Sequence, residues 1–366
     1  MGIQKKSISR AFTILKRTGI GRMLAPITQG CGAIFMMHHV RPARSDDFQP
    51  NRHLEITPEF LRQAVERIRA NGYDIISLDE AVDLLKFGYG NRRYAVLTFD
   101  DGYRDNLEVA YPVLKELDAP FTVFVTTGLV ERSTELWWVA LERLIASNDE
   151  IMFTRAGETG GLSCRTVAEK TTTFNKLTDY LTLEVGELDQ RKIIRALAEK
   201  HGLDLEALAG EFVMSWDEVR KLAADPLVTI GSHTRDHFAL ARLDDSAARK
   251  DVLTGLKALE DNLGRRPKHF AYPYGKSHAV SLRDADILRD IGFASSVTTL
   301  PGVLQSVNAR DPMMLPRVSL NGGFQDPAVV DQYLTGAPFA LYRMARWAVS
   351  GFGLRSGFSR LFPSTR

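Results

Sequence analysis

At residues 94–102 the chain reads YAVLTFDDG, a short apolar run that ends in two aspartates, Asp100 and Asp101, and a glycine. A run of this length, rich in β-branched and aromatic side chains, is typical of a buried strand. The sequence therefore predicts that both carboxylates follow the carboxyl end of a strand. Because Asp-Gly is also a common turn dipeptide, this stretch alone does not distinguish a simple turn from a reactive site.

A second polar cluster follows another apolar run more than a hundred residues later. His233 and His237 stand four residues apart, shortly after a strand predicted at 227–230. One carboxylate and two imidazoles can bind a divalent metal and leave positions open for water and substrate. The remaining carboxylate is then free to act as a base. Together the two clusters predict metal-assisted hydrolysis.

Short apolar runs alternate with helical patterns along most of the chain, which is typical of βα units and a parallel sheet. About seven such strands predict an α/β fold, a distorted or incomplete (β/α) barrel, with catalytic residues at the carboxyl ends of its strands. We expect a basic N-terminal segment at 1–30 and a basic, aromatic C-terminal segment at 326–366. The barrel is expected at 31–325, with a mostly helical insertion at about 130–213 in which no chemistry is visible.

The formal net charge of +2 hides an uneven distribution. Residues 1–44 hold eight Lys or Arg and no acid, and residues 332–366 hold five Arg and no acid. The central residues 45–331 therefore carry all 45 acidic side chains against 34 basic ones, a formal charge of −11. A body this acidic repels phosphate groups, so nucleic acid is not an expected partner.

Terminal helices packed on the core, with a solvated basic face, are the favoured interpretation of the basic and aromatic ends, and peripheral association with an anionic membrane surface is the alternative. No apolar stretch approaches the ~20 residues of a spanning helix. Basic residues also interrupt the N-terminus where a signal peptide has its apolar centre. We therefore expect a cytoplasmic protein, or one at the inner face of the membrane. Cys31 and Cys164 form no Cys-x-x-Cys pair, so a metal site must use histidine and carboxylate.

Three segments resemble, in order, the motifs of the polysaccharide deacetylases, also known as the NodB-homology or carbohydrate esterase family 4 fold. The stretch TFDDG at 98–102 is similar to the first motif, and GSHTRDH at 231–237 is similar to the second. FAYPYG at 270–275 is similar to the third. The resemblance covers roughly residues 33–130 and 213–320, and it implies the distorted barrel of that family.

The resemblance also implies a role for each matched residue. Asp101, His233 and His237 would bind a divalent metal, most often zinc, and Asp100 would be the base that deprotonates a metal-held water. The backbone N–H of Tyr274 would help to bind the tetrahedral oxyanion. Two carboxylates are needed because a carboxylate cannot be both a strong metal ligand and an efficient base.

The chain departs from the family pattern at two positions. Ala271 stands where the third motif usually has an arginine that orients the base, and Arg317 is the substitute that we expect, with a surface salt bridge as the alternative. The family's general acid is commonly a histidine late in the domain, but none follows His278. The leaving amine still needs a proton, and His38, at the end of the first strand, is the predicted donor. His39 would point to the other side of that strand.

The predicted function is metal-dependent removal of N-acetyl groups, with O-acetyl groups as the second choice, from a polysaccharide or oligosaccharide. Two alternatives remain open: hydrolysis of a non-glycan amide or cyclic imide on the same fold, and a catalytically inactive glycan-binding module. The intact set of Asp100, Asp101, His233 and His237 argues against the inactive module.

Overall fold

Twelve strands occur in the part of the chain that the structure, a computed structural model, describes: residues 20–88, 90, 92–155 and 158–351. In chain order they are β1 Gly32–Met37, β2 His39–Val40, β3 Glu55–Ile56, β4 Asp74–Ile75, β5 Tyr94–Phe99, β6 Phe121–Val125, β7 Glu150–Arg155, β8 Glu158–Ser163, β9 Val228–Ser232, β10 His269–Ala271, β11 Ser295–Pro301 and β12 Leu315–Ser319.

Seven of these strands form a closed parallel barrel, which confirms the predicted fold class. Around the barrel they follow in the order β1-β12-β11-β10-β9-β6-β5. The barrel is complete because β5 pairs back onto β1 along its whole length, from Gly32 opposite Tyr94 to Met37 opposite Phe99. The short β4 lies beside the first two residues of β5.

The barrel strands are buried on both faces, as expected for parallel strands covered by helices. Every residue of β1 and β5 is buried. Since side chains alternate along a strand, Ile34 and Val96 point into the barrel lumen, and Phe35 and Leu97 pack against the outer helices. The helix Leu78–Phe87 packs on the same cluster of lumen residues.

Helices surround the barrel and fill the long connection between β6 and β9. Around the barrel they are Ile20–Thr28, Pro58–Ala70, Leu78–Phe87, Tyr111–Glu116, Trp216–Ala223, Asp245–Leu263, Leu282–Ile291, Ala328–Leu334 and Ala337–Gly351. In the connection they are Thr127–Val130, Trp137–Ser147, Val167–Asp179, Glu187–Lys200 and Leu205–Phe212. Thr57 caps the helix Pro58–Ala70 by accepting a hydrogen bond from the Phe60 N–H.

The connection between β6 and β9 also contains a hairpin that the sequence does not reveal. The insertion at about 130–213 is expected to be mostly helical, with a polar middle section around 157–161, yet β7 and β8 pair there as antiparallel strands. Residues of β8 are exposed almost throughout. Without a buried face the stretch lacks the alternation of apolar and polar residues that signals a strand.

The two terminal segments are described only in part. Helix Ile20–Thr28 contacts helix Ala337–Gly351, whereas residues 1–19 and 352–366 lie outside the described residues. The apolar and aromatic side chains expected to serve membrane association there therefore have no structural description: Ile8, Phe12, Leu15, Phe352, Phe358 and Phe362. Within the described residues, no helix is both long enough and apolar enough to cross a bilayer.

Candidate active site

The carboxyl ends of the barrel strands bring together all seven residues that the sequence singles out. His38 follows β1, Asp100 and Asp101 follow β5, and His233 and His237 follow β9. The other two are Arg317 on β12 and Tyr274, just after β10. Strand ends that are far apart in the sequence meet here because all strands of a parallel barrel have their carboxyl ends at the same rim.

Asp101, His233 and His237 form a compact, buried group. The Asp101 Oδ1 atom lies 3.3 Å from Nε2 of His233 and 3.3 Å from Nε2 of His237. One ligand atom from each of the three side chains falls within 4.8 Å of the others. Asp101 Oδ1 is buried without a hydrogen-bond partner, which is costly unless a cation or proton satisfies it. The group therefore has the donor types and the unsatisfied atom of a metal site.

The two imidazoles are held in forms that suit metal binding. His233 Nδ1 lies 2.7 Å from the carbonyl oxygen of Ala271, so that nitrogen donates and the lone pair is on Nε2, facing Asp101. Burial lowers the pKa of His237 to about 4, so its ring is neutral near pH 7. For His233, burial acts to lower the pKa, but the charges of the Asp101 and Asp100 carboxylates beside it raise it on balance.

The backbone is strained around this group. Asp101, Thr234, His237 and Tyr274 all have positive φ angles of 75°, 63°, 55° and 59°. Non-glycine residues rarely adopt this conformation, and it costs about 1–3 kcal/mol for each residue. Strain of this kind persists only where the surrounding structure holds it, and it is common at active sites.

Contacts beneath the 233–237 loop hold it in place. The Thr234 hydroxyl accepts a hydrogen bond from the His237 N–H at 2.9 Å, and Asp251 accepts one from the Asp236 N–H at 2.9 Å. Gly255 allows the helix Asp245–Leu263 to approach this closely, since a Cβ atom at that position would lie 2.6 Å from the Thr234 carbonyl carbon. The loop geometry therefore depends on a helix that carries no site residue itself.

Asp100 is paired with Arg317 inside the barrel. The two terminal nitrogens of Arg317 each donate to one Asp100 oxygen at 2.7 Å, and Arg317 is only 1% exposed. Its Nε donates to the Thr298 carbonyl, and Nη1 also donates to the Thr98 hydroxyl. The alternative of a surface salt bridge for Arg317 is therefore wrong. Burial alone would raise the pKa of Asp100, but the Arg317 charge outweighs it and the pKa is lowered.

We expect Arg317→Met to destabilise the fold by about 3–5 kcal/mol, because the Asp100 charge is left buried without its partner. The free energy of unfolding in urea measures this. The double variant Arg317→Met/Asp100→Asn should recover part of the loss. The matched control Arg289→Met, at a half-exposed ion pair with Asp286 and Asp311, should cost at most about 1 kcal/mol. Equal losses in the two single variants would contradict the buried pair.

His38 lies beside the same carboxylate. Its Nε2 is 4.0 Å from Asp100 Oδ2, and 17% of the side chain is exposed, more than for Asp100, Asp101, His233 or His237. Burial, the largest cause, lowers its pKa. His39 points away, as expected: it hydrogen bonds to Asp105 and stacks on Tyr103 at 3.5 Å.

Aromatic side chains enclose His237, and one of them, Trp138, is not among the site residues expected from the sequence. The ring of Trp138 lies 4.9 Å from the His237 ring on one side, and the ring of Tyr274 lies 4.9 Å away on another. Trp138 donates its N–H to the Tyr103 hydroxyl at 2.9 Å, and Trp137 donates to the Tyr274 hydroxyl at 2.9 Å. The connection between β6 and β9 thus contributes directly to the site.

Arg191, from the same connection, supports the His237 loop from behind. It is 2% exposed, and its Nη2 donates to the carbonyl oxygens of Asp236 at 2.7 Å and His237 at 3.4 Å. Its Nη1 donates to the Glu135 carbonyl. In the sequence Arg191 is one basic residue among several on a helix, and only its burial distinguishes it. The expectation that the insertion carries no chemistry is therefore incomplete.

The family model for polysaccharide deacetylases matches residues 88–153 and 172–294, slightly more than half of the chain. The chain belongs to the polysaccharide deacetylase family. It is accordingly an enzyme, a hydrolase that deacetylates a glycan. The match includes Asp100, Asp101, His233 and His237, whereas His38 and Arg317 lie outside it.

Solved deacetylase structures share the fold. The deacetylase PplD from Streptococcus pyogenes, in complex with acetate, is 17% identical with a TM-score of 0.54, over 82% of this chain and 97% of that one. IcaB from Ammonifex degensii is 20% identical with a TM-score of 0.52, over 84% and 97%. A de-N-acetylase from Aggregatibacter actinomycetemcomitans is 14% identical with a TM-score of 0.51, over 82% and 99%. No protein with a curated description matches the chain.

Proposed function

We propose that this polysaccharide deacetylase removes N-acetyl groups by metal-dependent hydrolysis, with Asp100 as the base. The observation that carries the proposal is the separation of the two adjacent aspartates into different surroundings. Asp101 faces two histidines at 3.3 Å, whereas Asp100 is held by Arg317 at 2.7 Å. One carboxylate is therefore available as a ligand and the other as a base.

Asp101, His233 and His237 are the proposed metal ligands, and zinc fits this set of nitrogen and oxygen donors. When bound, a divalent ion lowers the pKa of a coordinated water and polarises the acetyl carbonyl. Asp100 accepts the proton of the attacking water. Arg317 keeps Asp100 ionised and fixes its orientation, so the carboxylate is ready to accept that proton.

Tyr274 and His38 complete the proposed chemistry. The Tyr274 backbone N–H is the proposed donor to the oxyanion. This residue has a left-handed backbone conformation, and its side chain contacts Trp137 and His237. His38 Nε2 is the proposed donor of a proton to the leaving amine. His38 Nε2 lies 4.0 Å from Asp100 Oδ2, so a proton that Asp100 takes from water can pass to the His38 ring and then to the nitrogen of the leaving amine.

The proton donor favours an amide substrate over an ester. An amine leaves an amide only after protonation, whereas an alkoxide or phenoxide leaves an ester more easily. A site that places an imidazole beside the base is therefore suited to N-acetyl groups. Acetate release from N-acetylglucosamine oligomers, with chelator and zinc add-back, tests the proposal. Release only from O-acetylated xylan, cleavage only of a cyclic imide, or release that resists the chelator would each contradict part of it.

We expect His38→Ala to lower kcat on an N-acetylglucosamine oligomer by about 10²–10⁴-fold, because the amine loses its proton donor. Hydrolysis of p-nitrophenyl acetate should fall much less, since p-nitrophenolate leaves without protonation. Metal content should stay at the wild-type value. His278→Ala, at an exposed histidine, is the matched control and should leave both rates unchanged. Equal losses on both substrates in His38→Ala would exclude the role of general acid.

Arg191→Met should weaken metal binding by about 10–100-fold, which is typical for loss of a contact that orients a ligand. The variant leaves the carbonyl groups of Asp236 and His237 without their shared donor. Competition with a chelating dye measures the dissociation constant for zinc. Arg195→Met is the control, because Arg195 binds the Glu135 side chain from the same helix but is 57% exposed. Identical metal affinities in the two variants would show that Arg191 does not position His237.

A further inference from the structure

Two helices in contact with each other both expose large apolar side chains. Helix Ile20–Thr28 exposes Met23 by 78% and Ile27 by 83%. Helix Ala337–Gly351 exposes Met344 by 67%, together with Leu341 and Tyr342. We refer to these residues as the apolar face: Met23, Ile27, Leu341, Tyr342 and Met344. A group of large apolar side chains on contacting helices indicates an interaction surface rather than isolated surface residues.

The apolar face lies at the end of the barrel opposite the active site. Helix Ile20–Thr28 ends just before β1 starts, where the Cys31 N–H donates to the Leu304 carbonyl. The Thr28 hydroxyl donates to the Thr335 carbonyl at 2.6 Å, which fixes the start of the last helix at the same place. His38 follows the other end of β1, roughly 20 Å away at ~3.3 Å per strand residue.

Basic residues flank the apolar face. Arg22 and Arg343 are exposed on its two helices. The flanking residues 1–19 contain five Lys or Arg, residues 352–366 contain three Arg, and neither stretch contains an acid. Residues 45–331 carry the formal charge of −11. The two helices and the segments that adjoin them in the sequence are therefore positive, whereas the central residues are negative, so an anionic surface attracts the former and repels the latter.

We propose that the apolar face docks the protein on a bilayer with anionic headgroups. Apolar side chains on helices flanked by basic residues are the chemistry of peripheral membrane binding. A second copy of the chain is less well matched, since two faces of the same positive charge would repel each other across such an interface. Docking in this orientation directs the active site away from the bilayer, towards a glycan in solution. The proposal does not depend on the chemistry assigned to the active site.

Vesicle flotation of the full chain tests the docking surface. The protein should float with vesicles of equal parts phosphatidylcholine and phosphatidylglycerol, less so at high salt, and weakly with phosphatidylcholine alone. The variant Met23→Ser/Ile27→Ser/Met344→Ser should bind the anionic vesicles about tenfold more weakly or worse. The matched control Leu183→Ser/Leu188→Ser removes two leucines that are 61% and 63% exposed on the β6–β9 connection, and it should bind as the wild type does.

Three results would overturn the proposal: no binding of the wild type, equal binding of the triple variant and the wild type, or equal loss in the control. If the wild type is a dimer that does not bind vesicles, and the triple variant is a monomer, the apolar face is assigned to contact with a second copy. Acetate release from a soluble oligosaccharide should be the same in the wild type, the triple variant and the control Leu183→Ser/Leu188→Ser. If all three release no acetate, the proposed function fails while the flotation result still stands, so the two failures are distinguishable.

Discussion

Asp100→Asn should lower kcat by about 10²–10⁴-fold while zinc stays bound at the wild-type stoichiometry. The amide is similar in size to the carboxylate but cannot accept a proton from water. The nearest charged partner of Asp100 is Arg317, and Asp100 is not among the three side chains grouped for metal binding. Activity should therefore disappear without loss of the metal.

Acetate release and metal analysis on the same protein sample check this result. Asp79→Asn is the matched control, because Asp79 also pairs with a cation, Lys268, and lies beside a histidine, His269, but at the other end of the barrel. It should keep full activity. If Asp100→Asn loses the metal, the roles of Asp100 and Asp101 are exchanged. If it keeps both metal and activity, another group is the base.

His233→Ala should lose both the metal and the activity. The substitution removes one of the three proposed metal ligands and also the hydrogen bond from its ring to the Ala271 carbonyl. The rise in the zinc dissociation constant should exceed the ~10–100-fold expected for Arg191→Met, since a ligand is lost rather than its support. Residual activity should equal that of chelated wild-type enzyme.

His269→Ala separates ligand loss from simple destabilisation. His269 is a buried imidazole on β10 that pairs with Ser295 and Asp79, away from the active site. The variant His269→Ala should have a lower free energy of unfolding than the wild type, yet it should bind zinc with wild-type affinity. Thermal unfolding with and without added zinc provides a second check, because a metal that binds only the folded state raises Tm. A zinc-dependent rise in Tm that persists in His233→Ala would exclude His233 as a ligand.

Local sequence determined the barrel strands and the reactive side chains at their carboxyl ends. The apolar runs before Asp100 and His233 are too short for helices and are bounded by turn residues, so they form barrel strands. The order of the strands and their shared carboxyl rim then place the carboxylates and histidines together. The β7–β8 hairpin was not predictable in this way, because its exposed residues carry no periodic signal.

Tertiary structure decided between the two alternatives for Arg317 and brought in supporting residues that the sequence did not reveal. Arg317 lies more than two hundred residues from Asp100, and only closure of the barrel by β1, β5 and β12 places its guanidinium in the lumen beneath the carboxylate. Arg191 and Trp138 come from a connection whose sequence resembles ordinary amphipathic helices, and burial against the His237 loop gives them a role. A residue's chemistry can be read from its type and neighbours in sequence. Its partners depend on long-range packing, which no local pattern encodes.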